Sequence, residues 1–443
     1  MKIIQVLNHF LPYQTAGTEI YVWSLCKQLQ QFDHGVSVVI PNYESSVSEN
    51  YIYDGIEVFK YAEPSKPDRA LITGQRTSEG LLFFRQYLKE QKPDIVHFHG
   101  VAGSNGISVA HLETAKELGV KVIYTIHLAS VTCNTGTLMY QQKTICDGMI
   151  RISKCTYCSL QKRTGNSFNA AMASGISLPL YEMGINTLKW NNTAGTILSY
   201  PFQVKNLQHK LRRIAAACDM IMPITNWYKE VLLKNGVEEN KLKVVLQGLP
   251  INISQVENIP IQLPLRLVFV GRIDQLKGID LLIDAVGKFN NNEIVLDIYG
   301  TTDDRTFLEA CKKRAQPFGN IEWKGLLPPA EVTRTLAQYH ALILPSVVAE
   351  MSPLVIQEAF AAKIPVIGSD IYGIAEQVKD GVNGFLFTIN SVSSLHEVLQ
   401  RLVDSPHILS QLSDNIIAPR SFANVAKETI NIYNAVLSTA KSG

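Results

Sequence analysis

No uninterrupted apolar run approaches the ~18 residues that a membrane-spanning helix needs, so no span is expected. No Gly-x-Gly-x-x-Gly follows an apolar strand, which disfavours a dinucleotide-dependent dehydrogenase. Neither charge is in surplus: 41 lysines and arginines face 39 acids, and a net charge of +2 argues against nucleic acid as a partner. An acidic triad able to hold a divalent ion is also missing. Only 18 % of residues are charged and 46 % are hydrophobic, which supplies large cores and excludes a disordered chain. Seven cysteines, an odd number, do not make the disulfide framework of a small secreted domain. The N-terminal stretch is too broken by Gln5, Asn8 and His9 to read as a leader, and no small-residue cleavage site follows it. Ile3–Leu7 is instead expected as a first strand. Cytoplasm is the default compartment, with the inner face of the membrane as its possible refinement.

What is present is an alternation of short apolar runs and amphipathic stretches. A length of 443 residues suits two domains of about 200 residues each. Strands are expected at Ile3–Leu7, Val36–Ile40, Asp94–Phe98, Val122–Ile126, Met220–Ile224 and Lys243–Leu246, with a helix over Thr18–Gln31. A Pro-, Asn- and Gln-containing connection near Leu249–Pro264 is the expected linker. The alternation restarts with strands at Arg266–Val270, Ile294–Tyr299, Ile321–Trp323, Ala341–Leu344 and Pro365–Ile367. Strands separated by helices imply parallel pairing through crossovers. The expected class is α/β, with two doubly wound, Rossmann-like sheets over 1–250 and 265–420 facing a cleft. An insertion with short elements of its own is expected over about 130–195. A last helix, about 422–440, is expected to pack back on the first domain.

Ligands of such sheets bind outside the carboxyl ends of the strands. The loop Gly271–Gly278 leaves a strand end with two cations, Arg272 and Lys277, beside glycines that permit close backbone approach. A guanidinium fork and an ammonium together could neutralise a diphosphate; the alternative is a solvated loop. Glu350–Glu358 follows another strand. Ser352-Pro353 is read as a helix start, with serine capping and proline in the first turn, and helix-start amides favour anions. Glu358 lies in the second turn among Ile356, Ala359, Phe360 and Ala362, and a buried carboxylate there needs partners.

The segment from Glu350 to Pro365 resembles the Glu-x7-Glu signature of retaining GT-B glycosyltransferases, in particular glycosyltransferase family 4. The surrounding stretch to Phe387, the segment VFVGRIDQLKGIDLLIDAV and the segment ITNWYKEVLLKNGV are similar to blocks of that family. The resemblance covers most of the chain and is weakest over about 44–90 and 130–200. It implies that Arg272 and Lys277 hold a nucleotide diphosphate, that Glu358 binds ribose, and that Glu350 contacts the donor sugar. Amides near Met351, Ser352, Pro353 and Leu354 would contact phosphate or sugar. Gly17 would stand in the family's glycine-rich turn, with Ala16 replacing a first glycine. His127 would be the cleft histidine, here followed by Leu128 where an acid is common, and His99 would line the acceptor side. His97 is expected to be structural.

The resemblance further implies transfer of a sugar, a UDP-sugar first and a GDP-sugar second, to a saccharide or lipid-linked acceptor. Fixed cations remove the need for a catalytic metal or other cofactor. Rival readings are a nucleotide-sugar 2-epimerase and a non-catalytic nucleotide-sugar-binding protein. Cys133, Cys146, Cys155 and Cys158 have a spacing that suits a structural zinc, against reduced, packed thiols. The basic stretch Lys205, His209, Lys210, Arg212, Arg213 is read as a solvated helix face or as a peripheral contact with an anionic membrane.

Overall fold

A computed structural model describes residues 1–101, 105–250 and 257–438. The chain forms two compact units, Met1–Leu246 with Phe422–Gly443, and Gln247–Ser421. Residues 251–256 of the expected linker lie outside the described residues.

The first unit is built on β1 (Lys2–Val6), β2 (Gly35–Tyr43), β3 (Glu49–Tyr53), β4 (Ile56–Glu63), β5 (Ile95–Phe98) and β6 (Lys121–Ile126). After a small hairpin of β7 (Met139–Tyr140) and β8 (Thr144–Ile145) comes β9 (Met220–Pro223). The sheet order is β3-β4-β2-β1-β5-β6-β9. All pairs in this sheet are parallel except β3–β4. β5 is buried at every position, the pattern of a strand covered on both faces. The antiparallel pair turns at Asp54-Gly55, both with positive φ, as the two-residue turn whose twist matches that of its strands requires. Lys243–Leu246 is not a strand. It lies beside β9, donating from Lys243 to Ile221 and from Val245 to Pro223, but the pairing stays an isolated bridge at Ile221–Leu242.

The insertion is more helical than its composition suggested. Helices span Ile152–Thr164, Ser167–Glu182 and Tyr200–Ala217 and pack on one another. Asn166 begins the second by accepting from the amides of Phe168 and Asn169, the role of an asparagine cap.

The second unit comprises β10 (Leu265–Val270), β11 (Ile294–Tyr299), β12 (Ile321–Gly325), β13 (Ala341–Leu344), β14 (Val366–Ser369) and β15 (Gly384–Phe387). They order as β12-β11-β10-β13-β14-β15 and are parallel throughout. In both sheets the chain winds outward to one side and then returns to the other. The switch falls between β1 and β5 in one unit and between β10 and β13 in the other, where crevices for ligands form.

The helix Phe422–Ser438 completes the first unit. Phe422, Val425, Tyr433 and Val436 share a core with Tyr21, Val22, Leu25 and Leu29 of the helix Gly17–Gln31. The Tyr433 hydroxyl reaches the sheet, 2.7 Å from His97 Nδ1, and accepts from Gln5 Nε2 at 3.3 Å. Tyr433→Phe keeps the shape and strands a buried imidazole nitrogen, which should cost about 1–3 kcal/mol. Urea unfolding of the two proteins measures it, and equal midpoints would show that the hydroxyl contributes nothing.

Candidate active site

The loops after β10 and β13 are tied together. Lys277 Nζ donates to Glu350 Oε1, and Ser346 Oγ donates to the same oxygen at 2.7 Å. No bond to Oε2 occurs among the described residues. The Val347 amide donates to the Leu276 carbonyl at 3.0 Å. Gly278, at φ +66°, passes so close to Pro345 that a Cβ would stand 2.1 Å from its carbonyl oxygen. Glu350 is held from the other side, because its amide donates to the Tyr372 carbonyl at 3.0 Å. Arg272 is not gathered with Lys277. It reaches outward, 77 % exposed, with Asp274 3.3 Å away.

Ser352-Pro353 departs from the expected helix start. The helix spans Leu354–Ala361, Pro353 is extended (ψ 117°) at the cap position, and no side chain caps the end. Because Pro353 itself stays extended instead of entering the first turn, the helix begins one residue later and Ser352 falls outside the cap position. The Leu354 and Val355 amides have no acceptor among the described residues, and Met351 is buried. One turn on, the Glu358 carboxylate is largely enclosed and has no hydrogen bond or ion pair among the described residues. Burial pushes it up to about 7.

In the first unit the residues at the strand ends form a neutral chain of hydrogen bonds. His99 Nε2 lies 2.7 Å from Gln5 Oε1, an acceptor, so that nitrogen carries the proton. His99 Nδ1 is then a lone pair and accepts from His127 Nε2 at 3.1 Å, leaving the His127 Nδ1 lone pair as an acceptor. His97 is bonded to Tyr433 and, through Nε2, to Thr125 at 2.7 Å. Burial, with mutual repulsion, holds His97 at about 3 and His99 well below its usual range; burial alone holds His127 at about 3. All three are therefore neutral at physiological pH. His99 does not line a surface as expected: it is buried with both nitrogens engaged, and it orients His127 from behind. Gly17 opens the first helix, exposed at the tip of its loop. Glu19 sits three residues after the cap Ala16 and accepts from that residue's own amide, half of a capping box.

Cys133, Cys146, Cys155 and Cys158 do not form a ligand set. Among the described residues no group of three or more His, Cys, Asp or Glu side chains could hold a metal ion. Each thiol instead has a local partner: Thr135, Asp147, the Met149 carbonyl and the Met139 carbonyl. Burial pushes Cys155 up to about 11, which opposes the thiolate a metal would need. The basic stretch is also not one uniform face. Lys210 is enclosed and burial lowers it to about 8, while Arg213 pairs with Glu113.

Gln5, Ser346, Tyr433 and the Tyr372-Gly373 turn were not singled out from the sequence. A glutamine in an otherwise apolar strand was the available signal for Gln5. For Ser346, two residues beyond a strand end, there was none.

Two doubly wound parallel sheets, one carrying a cation–carboxylate array beside free helix-start amides, define the architecture of nucleotide-sugar enzymes with the GT-B fold. Comparison with known proteins agrees. The description "Glycosyltransferase Family 4" matches residues 15–148, and "Glycosyl transferases group 1" matches residues 255–418. The chain belongs to the GT-B glycosyltransferases of the family 4 type. It is 26 % identical over 238 residues to an uncharacterized glycosyltransferase of Methanocaldococcus jannaschii, covering 50 % of this chain and 61 % of that protein. It is 28 % identical over 202 residues to the amylovoran biosynthesis glycosyltransferase AmsK of Erwinia amylovora, covering 43 % and 49 %. The match thus spans 49 to 61 % of these relatives' length. Among solved structures, sucrose-phosphate synthase from Thermosynechococcus elongatus aligns with a TM-score of 0.66 at 14 % identity, covering 99 % of each chain. Anabaena HepE in complex with UDP and glucose aligns with a TM-score of 0.60 at 13 % identity, covering 100 % of each.

Glu358 yields a signed pH prediction. A carboxyl raised in the folded state weakens the fold as pH rises from its unfolded value, near 4.5, through about 7. Glu358→Gln should therefore match wild type below pH 4.5 and exceed it by about 3 kcal/mol above pH 7, at 1.36 kcal/mol per unit. Chemical denaturation at pH 4.5 and pH 8 measures the difference, and a gain independent of pH would refute the assignment.

Proposed function

We propose that the protein transfers a hexosyl group from a nucleotide diphosphate sugar, a UDP-sugar first, to a saccharide or lipid-linked saccharide, with retention at the anomeric carbon. The observation that carries this reading is the array in which Lys277, Glu350 and Ser346 stand at the sheet's switch point, followed by free amides and the unpartnered Glu358. The UDP and glucose bound to HepE and the polysaccharide named for AmsK are consistent with this choice of donor and acceptor class.

Departure of the diphosphate places negative charge on its oxygens and positive charge on the anomeric carbon. Lys277, Arg272 once turned from Asp274, and the Leu354 and Val355 amides answer the first by preorganised electrostatics. Glu350, with one oxygen already engaged, offers the other to the donor sugar and answers the second. Glu358, unpartnered at a pKa near 7, accepts from ribose hydroxyls, and those bonds lower its proton affinity. His127, neutral and with its free lone pair fixed by His99, accepts from a sugar hydroxyl. Gly17 lets the backbone approach the donor. The acceptor oxygen bonds to the anomeric carbon on the face the phosphate leaves, and the departing phosphate oxygen takes the acceptor's proton.

A thermal-shift screen of UDP-, GDP- and ADP-sugars should show stabilisation by a UDP-sugar, because a ligand of the folded state raises apparent stability. Lys277→Ala and Glu358→Ala should each weaken that binding by roughly 10- to 150-fold, the span of a lost bond to a charged group. Wild-type affinity in both variants removes the site assignment. Proton NMR of the product then reads the anomeric configuration: inversion refutes retention, and an epimerised free nucleotide sugar replaces transfer with epimerisation.

A further inference from the structure

The helix Ser167–Glu182 is turned inside out. Its inward side is Ala170, Ser174 and Ser177, all buried. Its outward side carries Phe168, Met172 and Ile176, and Met183 directly after its end, at 70, 54, 52 and 66 % exposure. The spacings of four, four and seven residues set these side chains on one stripe of a 3.6-residue helix, with Gly175 and Pro179 between them. A helix on a protein in water ordinarily buries such a stripe.

Charge is distributed to match. Between Gly148 and Cys218 the chain holds nine lysines and arginines against one acid, Glu182, so this segment carries +8 while the whole chain carries +2. The remainder is therefore net negative by six. Arg151 and Lys154 pair with Asp147, and Arg213 with Glu113. Lys162 and Arg163, in the last turn before the stripe begins, and Lys189, shortly after it ends, are exposed.

We infer that this helix docks the protein on an anionic lipid bilayer, lying in the plane of the interface with Phe168, Met172, Ile176 and Met183 among the upper acyl chains. Lys162, Arg163 and Lys189 meet lipid phosphates at its two ends. Sixteen residues make about 24 Å of helix, short of the roughly 30 Å hydrocarbon core, and no described helix is long and apolar enough to cross it. The combination of apolar face and cationic flanks is that of an interfacial helix. A second copy fits less well, since joining two such faces would bring two segments of like charge together. Docking is independent of donor chemistry and can be read without turnover.

The test is flotation of the full chain with vesicles of phosphatidylcholine and phosphatidylglycerol at 7:3. Binding is expected, weakened at least tenfold on pure phosphatidylcholine or in the double variant Lys162→Glu, Arg163→Glu. The triple variant Phe168→Ser, Met172→Ser, Ile176→Ser should lose at least tenfold in vesicle affinity while keeping its thermal midpoint and its response to nucleotide sugar. A separate Phe168→Trp variant, native elsewhere, should gain fluorescence that brominated lipids quench, so the question stands even where the triple variant misfolds. Wild-type vesicle binding by the triple variant, or no quenching of the added tryptophan, overturns the proposal. So does a wild-type dimer that ignores vesicles and is split by the triple substitution.

Discussion

The ion pair between Lys277 and Glu350 is the constraint on which the second unit's crevice depends. It joins two loops that leave neighbouring strands on opposite sides of the sheet's switch point. Both side chains are largely enclosed, so each charge would be costly alone. The pair holds because Ser346 adds a third bond and the backbones interlock at Val347–Leu276 and Gly278–Pro345. At Gly373, φ +85°, a Cβ would stand 1.8 Å from the Glu350 carbonyl oxygen, so the acid is set from both sides by backbone that only glycine can supply.

The first unit handles buried polarity without charge. Gln5, His99 and His127 form a chain in which one side-chain amide dictates every proton downstream, and His97, Thr125 and Tyr433 form a second chain sharing Gln5. Burial keeps the imidazoles neutral, so the chain does not switch at physiological pH. One unit is thus suited to meeting anions and the other to meeting hydroxyls.

Much of this was legible in the chain. A fully buried parallel strand reads as a continuous apolar run, and β13 stands where such a run is. Lys277, Glu350 and Glu358 stand out in the sequence because two loops and the helix after the second hold them at local spacings. The β3–β4 hairpin was overlooked although Asp54-Gly55 announced it; its strands mix charged and aromatic residues and show no clean run. Ser352-Pro353 misled because proline suits the first helical position and an extended cap position alike, and here Pro353 takes the cap. The role of His99 needed tertiary geometry, since a strand-end histidine looks alike whether it faces a ligand or another histidine. The polar insertion was read as short elements, whereas small residues such as Ala170, Ser174 and Ser177 let its helices approach closely.

The first unit is discontinuous in the chain. Its sheet and most of its helices precede Leu246, yet Phe422, Val425 and Tyr433 fill its core from the far side of another complete unit. During synthesis, the N-terminal half leaves the ribosome with Tyr21, Val22 and Leu25 uncovered, and they stay so while roughly 175 further residues are made, at ~5–20 residues per second. For many seconds each nascent molecule offers an apolar surface to chaperones.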